Sequence, residues 1–93
     1  MKKLSDYPNI GKKTEKQLAA VEIYTIEELK KLGAEQAWLK IKEIDPSACL
    51  HRLLALEGAV QGVKKTLIDQ MRQNELKNFV KLYNKLNEEQ NKK

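Results

Sequence analysis

Ninety-three residues with 18 Lys and Arg against 13 Asp and Glu make a small basic chain of net charge +5 and pI near 9.3. That length is one domain, large enough for a modest core without metal or disulfides. A lone cysteine, Cys49, and a lone histidine, His51, exclude a disulfide scaffold and a His/Cys metal cluster.

The N-terminal residues Met1-Lys2-Lys3-Leu4-Ser5-Asp6 carry the charge of a signal peptide but no apolar run follows. No unbroken apolar run is longer than the four residues of 53–56, too short to span a bilayer. With the unpaired thiol, this predicts a cytoplasmic protein with no membrane partner. Positive charge gathers at the ends. Residues 1–16 hold five lysines and two acids, and residues 77–93 repeat that balance. The segment 22–45 holds four lysines and six acids.

Helical spacing dominates and no strand signal is convincing. Tyr7-Pro8-Asn9-Ile10-Gly11 reads as a tight turn feeding a helix over about 12–20, with Leu18 and Val21 inward. That start offers free backbone N–H groups and the positive end of a helix dipole. With Lys12, Lys13 and Lys16 on its first turns, it suits a phosphate. Ile10, Gly11, Lys12, Lys13 and Lys16 are therefore the candidate anion-contacting residues. A plain turn with solvated lysines explains Pro8 and Gly11 equally well.

Thr25-Ile26-Glu27-Glu28 has the form of a capping box opening a second helix, with Ile23 or Tyr24 as a staple against Leu29. Gly33 ends it in a left-handed conformation. A third helix over about 34–44 places Ala37, Trp38, Ile41 and Ile44 on one face. Asp45-Pro46-Ser47 breaks the chain, and Asp45 or Ser47 caps a fourth helix over about 47–61. Cys49, Leu50, Leu53, Leu54, Leu56 and Val60 cover most of its circumference, so it belongs at the centre of the fold, with Cys49 as a small core residue. Glu57 is the one acid in that run: it pairs internally or faces water. Gly58, Ala59 and Gly62 form a small-residue patch suited to close helix contact. His51 and Arg52 read as surface positions. After a loop at about 63–68, a fifth helix runs towards Asn87, with Leu76, Phe79, Val80, Tyr83 and Leu86 as its stripe. Residues 1–87 form the domain and 88–93 a polar tail.

Pro8-Asn9-Ile10-Gly11 with Thr14-Glu15 and Leu18 resembles the opening of the C-terminal domain of TfoX/Sxy proteins, regulators of competence for DNA uptake. The likeness continues through Ile23-Tyr24-Thr25-Ile26-Glu27-Glu28-Leu29 and Leu32-Gly33-Ala34. It resumes at Leu53-Leu54-Ala55-Leu56-Glu57-Gly58-Ala59 with Gly62, and at Glu75-Leu76-Lys77-Asn78-Phe79. The resemblance implies an all-α, compact bundle of about five helices with a helix-hairpin-helix-like N-terminal part. In that family the domain often follows a separate N-terminal domain. The hairpin position often held by glycine is Asn9 here, a residue that tolerates positive φ.

The sequence holds no nucleotide-binding loop, paired-carboxylate signature or metal cluster. No enzymatic activity, cofactor or small-molecule substrate is expected. The expected function is a regulatory or accessory module with weak, sequence-independent contact to double-stranded DNA through the hairpin. The alternative is a protein-interaction or homodimerisation module of the same fold that binds no DNA.

Overall fold

The computed structural model describes residues 3–91, so the Lys92-Lys93 end of the expected tail lies outside the described residues. Five α-helices follow one another: α1 Lys12–Ala20, α2 Ile26–Leu32, α3 Ala34–Ile44, α4 Leu50–Gln61 and α5 Gln70–Asn91. Three-residue 3-10 turns precede α1 (Leu4–Asp6) and α5 (Lys65–Leu67). No strand occurs among the described residues. The all-α expectation holds.

Local chemistry sets the helix ends. The Thr25 hydroxyl accepts from the Glu28 N–H at 3.1 Å, and the Glu28 carboxylate accepts from the Thr25 N–H at 3.0 Å. That is the expected capping box. Ile23 is buried as the staple, whereas Tyr24 is 61% exposed. Gly33 closes α2 and opens α3 with φ +90° and ψ 154°. That is the mirror image of extended backbone rather than the expected left-handed helical turn, and essentially only glycine adopts it.

The break before α4 behaves differently from expectation. The Asp45 carboxylate accepts from the Ser47 N–H at 3.1 Å and from its hydroxyl, and the Ala48 N–H donates to the Asp45 carbonyl. These bonds make a turn that uses both expected caps. The helix therefore starts later, at Leu50, with Cys49 at its N-cap and exposed. The placement of Cys49 in the core is thus corrected. Ile44 is also exposed, because α3 ends there and the chain turns away. Leu86 is exposed too, on an α5 that continues four residues past its expected end.

α3 packs on α4, and α5 lies against α4. Trp38, Leu18, Leu29, Ile41, Leu53, Leu56 and Leu76 are completely buried, so α4 is central as expected. The Trp38 ring meets Phe79 and Tyr83 edge-on, with centroids 6.0 and 5.1 Å away. Its indole N–H donates to the Cys49 carbonyl at 3.1 Å.

Arg72 of α5 reaches Glu57 of α4 at 2.9 Å and both oxygens of Glu35 of α3 at 2.8 and 3.0 Å. Glu57 is only 6% exposed and also accepts from Gln61. The sequence left its environment open; the fold makes it an internal ion pair. The guanidinium beside Glu35 holds that carboxyl below the usual range.

Two stability measurements check this arrangement. A Cβ on Gly33 would meet nothing within 4 Å, so Gly33→Ala should cost about 1–3 kcal/mol from backbone strain alone. Gly11→Ala, at φ −90° and equally open, carries no such strain and should cost only about 0.5–1 kcal/mol, from the poorer N-cap. Arg72→Met should cost about 2–4 kcal/mol by leaving Glu57 buried and unpaired, and adding Glu57→Leu should recover most of that loss.

Candidate functional site

The candidate site begins with a hairpin. Ile10 donates to the Tyr7 carbonyl at 3.4 Å, and Asn9 sits at φ +71°. Ile10 is 4% exposed, so its side chain anchors the loop and any anion contact it makes is through the backbone. Gly11 is the N-cap of α1 and offers no side-chain cap. By helix geometry, the amides of the first turn have no partner inside the helix.

Lys12, Lys13 and Lys16 are all exposed, as expected. None of the three forms an ion pair among the described residues. Lys13 acts at a distance, adding to the field on Asp45. The Asp45 carboxyl is lowered to about 2, chiefly by the Ser47 hydroxyl and the Gln17 amide that donate to it. Arg52 also approaches Asp45, at 3.7 Å, and bonds Gln17. Arg52 is therefore half-buried and tied to α1 rather than a free surface position.

The described residues do not make a full helix-hairpin-helix. The element before the hairpin is the 3-10 turn Leu4–Asp6, not a helix. It is held to α1 by the Ser5 N–H, which donates to Glu15 at 3.0 Å, and by buried Leu4.

Sequence reading missed two contributors. The Asn9 side chain donates to the Val63 carbonyl at 2.9 Å and accepts from the Lys65 N–H at 3.0 Å. The α4–α5 loop, with Lys64 and Lys65, is thereby tied to the hairpin. These partners are 54 and 56 residues from Asn9, and no local pattern announces such a contact. Arg72 was the other omission. Its signal was present: a lone acid in the leucine-rich run of α4 needs a cation.

Among the described residues, no group of three His, Cys, Asp or Glu side chains could hold a metal. No helix there is long and apolar enough to cross a membrane. His51 is exposed on the first turn of α4.

The fold and the hairpin-started α1 define a small all-helical domain with a cationic helix start. The chain belongs to the TfoX C-terminal domain family, whose match covers residues 1–80. Two solved structures are closely similar. One is an uncharacterised protein from Listeria monocytogenes in a triclinic crystal form. It is 43% identical with TM-score 0.88, over 89% of this chain and 94% of that one. The other is a protein of unknown function from the same organism in a tetragonal form. It is 45% identical with TM-score 0.84, over 86% of this chain and 98% of that one. No functionally curated protein matches the chain.

The exposed N-cap thiol gives a direct check. Cys49 should label with a thiol reagent in the native protein at a rate within a few-fold of that in the unfolded chain. Protection of ten-fold or more would place it in the core instead.

Proposed function

We propose that this domain is a non-enzymatic regulatory or accessory module of the cytoplasm that contacts the backbone of double-stranded DNA weakly and without base preference. The contact runs through Ile10, Gly11, Lys12, Lys13 and Lys16, with Ile10 engaged by its backbone alone. The observation that carries the reading is the start of α1: a helix N-terminus with no side-chain cap and three exposed lysines in its first two turns, none of them in an ion pair among the described residues. Free backbone N–H groups with ammonium groups on the same first turns suit a phosphate and read no base edge. The family resemblance to competence regulators agrees with a role in gene regulation linked to DNA uptake.

A second reading has its own observation. Leu82 and Leu86 lie one turn apart on α5, 57% and 51% exposed. They fall beyond residue 80, where the family match ends. In this reading the far half of α5 offers a protein partner or a second copy its apolar strip. Phe79 and Tyr83 of the same stripe are instead engaged with Trp38.

Anisotropy titration with duplex DNA separates the two. The first reading expects a Kd of about 10⁻⁴ to 10⁻⁶ M at physiological salt and a log–log salt slope of about −2 to −4. Lys12→Glu with Lys13→Glu should abolish binding and leave the fold intact, since acids at a helix start are favourable. Reversing Lys30 and Lys31 on α2, where Glu27 and Glu28 offset them, should matter little. Absence of binding even at low salt would put the protein-interaction reading first.

A further inference from the structure

The hairpin does not stand alone on the surface. Asn9 is joined to the α4–α5 loop by two hydrogen bonds that use both ends of its amide. Behind it, α4 presents Gly58. A Cβ there would lie 2.3 Å from the Asn9 amide nitrogen and 2.8 Å from the Val63 carbonyl oxygen. Only glycine lets the amide and the loop seat against the helix. Asn9 at φ +71° therefore does two jobs. Like the glycine common in such hairpins, it accepts the left-handed backbone. Unlike glycine, it has a side chain that reaches across to another segment.

The tether has an electrostatic result. Lys64 and Lys65 are exposed, and they line one open cleft with Asp6, Tyr7, Pro8, Asn9 and Thr66. The single carboxylate of that cleft, Asp6, already accepts from the Lys3 N–H at 3.0 Å. Two lysines thus lie on one side of the Asn9 tether, and Lys12 and Lys13 follow three and four residues along the hairpin on the other. Neither Lys64 nor Lys65 forms an ion pair among the described residues.

We infer that Asn9 is a positioning residue that fixes the Lys64-Lys65 loop beside the hairpin, so that both segments engage one nucleic-acid backbone as a single surface. The inference rests on the DNA-contact reading above and adds a second set of phosphate-contacting residues. A helix start alone holds one phosphate. A second lysine pair whose loop is tethered to the same hairpin meets a neighbouring phosphate without first having to order that loop, so the tether raises affinity by pre-organisation.

The test uses the intact chain and a short duplex DNA. In a titration of the ¹⁵N-labelled wild-type protein, the amide signals of Lys64, Lys65 and Thr66 should shift together with those of Lys12 and Lys13, on one common Kd. Lys64→Gln with Lys65→Gln should weaken binding by about five- to ten-fold and flatten the salt slope by about one to two. In an Asn9→Gly background, which keeps the backbone conformation and removes the tether, the same pair of changes should cost less than about two-fold. Faster exchange of the Lys65 amide in Asn9→Gly would confirm that the tether is lost.

Shifts confined to residues 11–16 in the wild-type titration would overturn the inference and leave the DNA reading standing. That measurement does not depend on any variant folding. Equal losses from the lysine changes with and without Asn9 would also overturn it. No shifts anywhere would overturn the DNA reading and this inference with it.

Discussion

One guanidinium fixes the register of the last helix against the rest. Arg72 sits where α3, α4 and α5 meet and bonds carboxylates on the first two, Glu35 and Glu57, and Glu75 on its own helix. Glu57 is buried in a helix that is otherwise apolar on its inner side, and an isolated carboxylate there would be strongly destabilising. The charge is tolerable only because α5 brings Arg72 to it, so α5 can dock in one register. Shifting α5 by a residue would carry Arg72 about 100° round the helix and leave Glu57 unpaired. The same register sets Phe79 and Tyr83, seven and eleven residues later, edge-on to Trp38. Ion pair and aromatic cluster lie on the same side of α5, two and three turns apart, and specify the same placement.

That placement reaches the hairpin indirectly. α5 begins at Gln70, so docking it fixes where the connection from α4 must end. The connection leaves α4 at Gly62, left-handed at φ +76°, with the Val63 N–H bonded to the Gly58 carbonyl. It then passes Asn9 before its own 3-10 turn. The N-terminal hairpin and the loop at the far end of α4 are thus parts of one assembly, with Gly58 as the point of closest approach.

Much of the helical framework was legible because its signals are local. The capping box at Thr25, the stop at Gly33 and the bounds of α1 and α3 depend on residues within one turn of each other. The apolar spacing of α4 announced its burial in the same way. The failures share a different cause. Asp45-Pro46-Ser47 contains good helix caps, yet those groups bond one another in a turn and leave Cys49 at the N-cap. Local hydrogen bonds compete with helix starts, and the pattern cannot say which wins. Ile44 and Leu86 match their helix stripes, but periodicity does not reveal where the opposing surface stops. For the site, the lysines and Gly11 could be placed from sequence alone. The Asn9 tether could not, since it joins residues 54 and 56 apart through a contact that exists only after α4 is docked.

The two helix starts of the N-terminal half differ in a way that bears on function. α2 has a reciprocal capping box, with Glu27 and Glu28 in its first turn, the arrangement a helix dipole favours. α1 opens only some fourteen residues earlier with the opposite chemistry. Gly11 supplies no side-chain cap, a loss of a few tenths of a kcal/mol relative to Ser or Asn. Lys12 and Lys13 face the positive end of the dipole, each at a cost of up to about 1 kcal/mol at low ionic strength. Glu15, the one acid of that first turn, has its charge directed to the Ser5 amide. Stability of the isolated domain gains nothing from this choice. An anion drawn to the start of α1 would offset all of it at once, by accepting from the uncapped amides and by screening the lysines from one another and from the dipole. The same argument gives an ionic signature: a multivalent anion such as sulfate should stabilise the wild-type protein more than a variant with Lys12→Glu and Lys13→Glu, because only the wild type has the unfavourable charge to relieve.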